Sequence, residues 1–174
     1  YERLGRHKKS LEYYEESNKY DAEHPAGWYN VGNTCSRLGH HKKAIKNYEK
    51  AIKLAKGQKG MLLASWNNMG RVFQRLGQYK EAIRCYDKAI NLDKKYVYAW
   101  NNKGIGLRRL RRYKEAIKCH DKAICLDEEY DYAWISKGTT LASLDQWKEA
   151  LKCFDNAIKL DKKYYEAWNN KGYS

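Results

Sequence analysis

The chain is short of the features that mark most enzymes, metalloproteins and membrane proteins. It has one proline in 174 residues, and no apolar run approaches the roughly 18–20 residues that a membrane-crossing helix needs. Mean hydropathy is −0.96, so no membrane partner is expected. Five cysteines are present, an odd number with no CxxC pair, which argues against both a disulfide framework and a zinc site. No Asn-x-Ser/Thr sequon occurs, and the thiols point to a reducing, cytoplasmic setting. The histidines His7, His24, His40, His41 and His120 make no HExxH or other ligand spacing. There is no nucleophile elbow, no glycine-rich phosphate loop and no strand pattern. Catalysis, a metal and a cofactor are therefore not expected from this chain. Negative charge is also scarce: 35 Lys and Arg stand against 21 Asp and Glu, a formal net charge of +14.

Periodicity is abundant instead. A tryptophan followed four residues later by glycine recurs as Trp28/Gly32, Trp66/Gly70, Trp100/Gly104, Trp134/Gly138 and Trp168/Gly172, and the last three tryptophans are 34 residues apart. Sixteen residues after the tryptophans sit Ala44, Ala82, Ala116 and Ala150, and seven further on Ala51, Ala89, Ala123 and Ala157. Between them a ring recurs as Tyr48, Tyr86, His120 and Phe154. A fixed period of about 20–50 residues means stacked repeats rather than one globular core.

The order tryptophan, glycine, alanine, aromatic, alanine over 34 residues resembles the tetratricopeptide repeat, whose unit is two antiparallel helices. The resemblance covers essentially the whole chain. Residue chemistry supplies reasons for it. Trp100, Gly104 and Leu107 fall at i, i+4 and i+7 and so line one face of a first helix. Gly104 and Ala116 are small and let the paired helices approach closely, while the rings fill the wedge between neighbouring repeats. The expected fold is an all-α, right-handed superhelical α-α solenoid of about four and a half repeats, with roughly ten helices.

The repeats fall at 25–62, 63–96, 97–130 and 131–164, flanked by a partial repeat at 1–24 (a second helix) and another at 165–174 (a first helix). Both ends leave apolar faces unpaired, which suggests a piece of a longer array. Near the start, residues 1–4 are expected to close a preceding helix, with Gly5 as its turn. Pro25 suits the first turn of the next helix. Internal turns are expected at Leu38-Gly39, Leu76-Gly77, Leu110-Arg111 and Leu144-Asp145. Arg111 tolerates the left-handed conformation least, so a slightly different turn is expected there. Asp93, Asp127 and Asp161 end second helices. Trp28 to Trp66 spans 38 residues, an insertion whose glycines place it in a loop near 55–60, with Met61-Leu62-Leu63 extending the following helix. Cys85, Cys119 and Cys153 share one position in successive second helices, as a column of small, partly buried side chains.

In such a stack the first helices line a concave groove. Helical phase assigns to that groove the residues two before each tryptophan and one, two, five, eight and nine after it. Two after come Asn30, Asn68, Asn102, Ser136 and Asn170. This series resembles the asparagine ladder of the O-linked N-acetylglucosamine transferase superhelix, whose amides bond the backbone of an extended peptide; bonds within the repeat are the alternative. Arg37, Arg75 and Arg109 occupy one helical phase, with Arg71 and Arg108 on the same surface, suited to carboxylates or phosphates. Tyr98, Tyr132 and Ile135 offer an apolar patch. Asn33 and Asn68 match the two asparagines of the clamp with which some family members grip a chaperone tail. Tyr29, Tyr98 and Asn102 replace its basic residues, so that specificity is not carried over.

The expected function is a protein–protein interaction module that holds an extended, acidic peptide on these residues. A basic RNA- or DNA-binding adaptor is the rival reading, given a pI of 9.5, although the repeat tryptophans belong to the core and the lysines are spread over every repeat. Self-association through the open repeat ends is a third option.

Overall fold

A computed structural model describes the backbone of residues 2–160 and the side chains of residues 5–160. The described residues form nine α-helices and no strand: α1 Glu2–Tyr20, α2 Pro25–Arg37, α3 His41–Leu54, α4 Lys59–Arg75, α5 Tyr79–Leu92, α6 Val97–Arg109, α7 Tyr113–Leu126, α8 Asp131–Ala142 and α9 Trp147–Leu160. They group into two compact units, the first carrying α1–α5 up to Lys94 and the second α6–α9 from Lys95. Within the first unit α2 packs on α3 and α4 on α5; within the second α6 packs on α7 and α8 on α9. The chain is an all-α repeat solenoid. The expected first helix at 165–174, with Trp168, Asn170 and Gly172, and the expected helix end at Asp161 lie outside the described residues.

Each pair is held by a ring lying on a glycine. An added Cβ at Gly32 would stand 2.7 Å from the Tyr48 ring, at Gly70 2.6 Å from Tyr86, at Gly104 2.5 Å from His120 and at Gly138 2.6 Å from Phe154. The missing side chain is what admits the ring to the backbone of the facing helix. Thus each ring lies first on the glycine of its own repeat, rather than only in a wedge between repeats. In the first unit Tyr48 also joins Val31, Cys35, Met69, Val72 and Cys85 in one core that spans two repeats. The alanines at both recurrent spacings are buried, which allows the close approach. Fully burying an aromatic side chain contributes about 1.5–3 kcal/mol, and Tyr48 and Tyr86 are among the largest fully buried side chains.

The internal turns share one solution. Gly39 (φ 78°), Gly77 (φ 73°), Arg111 (φ 61°) and Asp145 (φ 58°) are all left-handed. The next residue closes a six-to-one bond back to the helix: His40 N to Cys35 O 2.8 Å, Gln78 N to Phe73 O 2.9 Å, Arg112 N to Leu107 O 3.0 Å and Gln146 N to Leu141 O 3.1 Å. This is the helix-ending motif that satisfies orphan carbonyls. The Arg111 turn therefore does not differ from the others, against expectation. The packed helices on both sides impose the conformation on a residue that disfavours it.

Two further details concern the ends of elements. Gly5 is not a turn: α1 runs through it as one helix from Glu2 to Tyr20, an interior glycine costing about 1 kcal/mol against alanine, which the length of the helix absorbs. The insertion forms a turn with Gly57 at φ 77°, and Met61, Leu62 and Leu63 lengthen α4 at its start, as expected. The expected boundary between residues 62 and 63 accordingly lies inside α4. Trp28, Trp66, Trp100 and Trp134 are half-buried at the rim of the core. Trp28 Nε1 donates to Ala22 O at 2.8 Å and Trp134 Nε1 to Glu128 O at 3.0 Å, tying each ring to the preceding turn.

Candidate functional site

In the first unit α2 and α4 lie side by side. Tyr29, Asn33, Ser36 and Arg37 stand at i, i+4, i+7 and i+8 on α2, and Asn68, Arg71 and Arg75 at i, i+3 and i+7 on α4, so each set shares one helical face. With Tyr48 from α3, these residues line a cavity of about 230 Å³.

A hydrogen-bond network sets the walls. Tyr48 Oη donates to Asn33 Oδ1 at 2.8 Å. Asn68 Nδ2 donates to the same Asn33 Oδ1 and to Tyr29 Oη, both at 3.0 Å. Arg75 Nη1 donates to Ser36 O at 3.2 Å and to Ser36 Oγ at 3.0 Å, fixing its guanidinium across from α2. The Tyr29 and Tyr48 rings meet at 6.0 Å and 53°. Burial raises the Tyr48 hydroxyl well above the usual tyrosine range and Tyr29 adds to the rise, while Arg71 and Arg75 oppose it; Tyr48 remains a neutral donor.

The cavity's charge is one-sided. No Asp or Glu lines it, and among the described residues no carboxylate pairs with Arg37, Arg71 or Arg75. Elsewhere cations do find partners: Lys43 Nζ lies 2.5 Å from Glu15 and Lys59 Nζ 3.1 Å from Asp93. Three guanidiniums beside neutral donors favour an anion.

The expected groove residues divide between the units. Asn33, Arg37, Asn68, Arg71 and Arg75 come together in this cavity. Asn30 does not join them; it lines a separate cavity of about 340 Å³ with Ser17, Asn18, Asp21 and His24, because the neighbour that α2 meets there is α1. Both protons of the Asn68 amide nitrogen are engaged within the protein, so Asn68 positions Tyr29 and Asn33 instead of standing free as a ladder rung. Three lining residues were not named from the sequence as ligand contacts: Tyr29 and Ser36, which lie one and eight after Trp28 on the expected groove phase, and Tyr48, which comes from α3 and lies off it. The signal for Tyr48 was its hydroxyl, since a purely packing role would suit phenylalanine, as at Phe154.

The second unit holds Tyr98, Asn102, Arg108, Arg109, Tyr132 and Ile135. Tyr98 is 53% and Tyr132 59% exposed, and both belong to a four-ring series: Tyr96–Tyr98 at 5.6 Å, Tyr98–Tyr130 at 5.4 Å and Tyr130–Tyr132 at 5.9 Å between centroids. Tyr96 and Tyr130, four before their tryptophans, were missed. Arg109 is exposed, whereas Arg108 is half-buried with its Nε unpartnered; burial lowers its pKa and Arg109 adds to this. Beneath them His120 Nδ1 and Asn101 Oδ1 are 2.9 Å apart. Burial, with Arg108 and Lys137 adding, pushes the imidazole down to about 3, so it is neutral and donates Nδ1–H to the amide oxygen. The column thiols Cys85, Cys119 and Cys153 are buried, and burial pushes Cys85 up to about 12. Among the described residues no three of His, Cys, Asp and Glu gather to hold a metal, and no helix is long and apolar enough to cross a membrane.

Comparison with known proteins agrees with this architecture. Profiles described as tetratricopeptide repeat match residues 23–95 and 61–124 and, separately, 1–24 and 132–164. No curated protein matches the sequence. Among solved structures, MamA residues 41-end from Desulfovibrio magneticus RS-1 is 21% identical with TM-score 0.78, covering 92% of this chain and 89% of that one. YrrB, described as a TPR protein with an unusual peptide-binding site, is 21% identical with TM-score 0.68, covering 98% and 86%. The second TPR of Spaghetti (RPAP3), bound to the HSP90 peptide SRMEEVD, is 29% identical with TM-score 0.56, covering 60% and 96%. With repeat profiles matched along most of its length and the same helix-on-helix pairing in both units, this chain belongs to the tetratricopeptide repeat family.

Proposed function

We propose that the chain is a protein-interaction module whose first unit holds an acidic group of an extended peptide. One observation carries this reading: Arg37, Arg71 and Arg75 line one cavity that contains no carboxylate. Asn33 and Tyr29 supply neutral donors from α2, and the Asn68 bridge keeps α2 and α4 at the spacing that lets both helices reach one ligand. The RPAP3 repeat, similar over 60% of this chain, binds a peptide with two glutamates and an aspartate, which supports an acidic ligand here. Tyr98, Tyr132 and Ile135 would take apolar side chains on the second unit.

The test is fluorescence anisotropy with capped nine-residue degenerate peptides whose central position is fixed as Glu, Lys or Ser. The Glu set should bind best. Arg71→Ala should weaken it chiefly at low salt, because exposed charges are screened within about 10 Å at 0.1 M ionic strength. Equal binding of the Glu and Lys sets, or no effect of Arg71→Ala at any salt concentration, would defeat the proposal.

A further inference from the structure

We infer that the anion taken by the first-unit cavity is a phosphoryl monoester, presented as phosphoserine or phosphothreonine in an extended segment of a partner protein. The peptide part of this assignment rests on the reading above; the anion part rests on the cavity alone.

Charge comes first. Arg37, Arg71 and Arg75 face one cavity without a carboxylate in its lining. A carboxylate would offset one of three positive charges. A phosphomonoester brings about −1.5 to −2 at neutral pH and three terminal oxygens. A nucleic-acid phosphodiester brings one charge on two free oxygens, and of the two rings that line the cavity Tyr48 is 1% exposed and offers no face for a base to stack on.

The donor inventory points the same way. Asn33 Oδ1 already accepts from Tyr48 and Asn68, and Tyr29 Oη accepts from Asn68. Ser36 Oγ accepts from Arg75. The valences these groups keep are protons: the Asn33 amide N–H₂, the Tyr29 and Ser36 hydroxyls, and the guanidiniums of Arg37 and Arg71. They come from α2 on one side and α4 on the other, so they can meet oxygens that point in different directions. That suits a tetrahedral group better than a planar one. Size is compatible too. A cavity of about 230 Å³ admits a phosphoryl group with its ester oxygen.

The test uses the 174-residue chain with ¹⁵N-labelled arginine, following the Nε–Hε resonances of Arg37, Arg71 and Arg75 during titration. The probes are inorganic phosphate, acetate and dimethyl phosphate at constant ionic strength. Phosphate should bind at least tenfold more tightly than either of the others, and Arg71→Gln, an exposed change that leaves the packing intact, should weaken it at least fivefold. Equal affinities for the three anions, or phosphate binding indifferent to Arg71→Gln, overturns the assignment. In a second arm, degenerate peptides carry a central phosphoserine, Glu or Ser. A tenfold preference for phosphoserine over Glu supports the inference. Equal binding of both sets, each lost in Arg71→Gln, overturns it while leaving the acidic-peptide reading intact. Selective phosphate binding with no peptide bound keeps the anion assignment and defeats the peptide reading. A single-stranded RNA that binds as tightly as the phosphoserine set overturns the monoester in favour of a diester.

Discussion

Gly70→Ala examines the contact on which the repeat depends. The new methyl would stand 2.6 Å from Tyr86 Cε1 and 3.0 Å from both Cδ1 and Cζ, against an ordinary carbon–carbon separation of about 3.5–4.0 Å. Tyr86 has no free space to recede into, being fully buried, and its hydroxyl donates to Gln74 Oε1 at 3.1 Å. Overpacking of this kind costs about 1–3 kcal/mol, and a displaced ring forfeits a hydrogen bond worth about 1 kcal/mol. Alanine's better helix propensity returns about 1 kcal/mol. The net expectation is a loss of about 1–3 kcal/mol, read as a lower urea midpoint. The control is Gly60→Ala, near the start of α4, where an added Cβ meets nothing within 4 Å; that change should be neutral or slightly stabilising. The decisive comparison is Gly70→Ala in a Tyr86→Val background, where the side chain ends at Cγ and lacks the Cδ1, Cε1 and Cζ atoms that crowd the methyl. There the cost should vanish and the propensity gain should surface. If Gly70→Ala costs the same in both backgrounds, or stabilises the parent chain, the ring-on-glycine account is wrong.

Other expectations follow from the same packing. Asn68→Ala removes the bonds to Tyr29 and Asn33 and should cost about 1–2 kcal/mol of stability by chemical denaturation, while weakening peptide binding at every salt concentration; a variant of parental stability and affinity would show that the bridge contributes nothing. Arg111 sits at φ 61°, so Arg111→Gly should stabilise by roughly 0.5–1 kcal/mol once glycine's extra unfolded-state entropy is subtracted, whereas an unchanged or lower thermal midpoint would argue against strain at that turn. His120 is neutral in the fold with a pKa near 3, below its unfolded value of about 6.5. Between those values the unfolded chain binds more protons, so this residue's share of stability is complete above about pH 6.5 and is lost as pH falls toward 3. His120→Phe should therefore reduce the stability lost between about pH 6.5 and 5 by about 2 kcal/mol, and equal acid slopes for the two chains would contradict the burial argument.

The repeat was legible in the sequence because its determinants are local and recurrent. A glycine four residues after each tryptophan, alanines at two fixed spacings and a ring between them describe two helices that must touch closely, and periodicity alone places them. The same reading located the four internal turns and the lengthened α4. It missed at Gly5, where the cue of a turn residue lost to the continuity of a long helix. It also expected Arg111 to deviate, because local preference is weighed one residue at a time while the two flanking helices act together. Helical phase brought five of the expected groove residues to one cavity, since residues spaced three, four and seven apart on α2 and α4 share a face.

Phase could not say how those side chains would use their hydrogen bonds. Asn30 and Asn68 are identical in type and in position relative to their tryptophans, yet one lines a cavity beside α1 and the other bridges two helices. Side-chain identity and period are properties of the chain itself, and they determined the family, the helix pairs and the excess of positive charge. Which polar groups saturate one another and which are left as donors depends on the neighbours that each helix meets. The packing of α2 against α4 therefore decided that three arginines and a ring of donors face one cavity without a carboxylate among them.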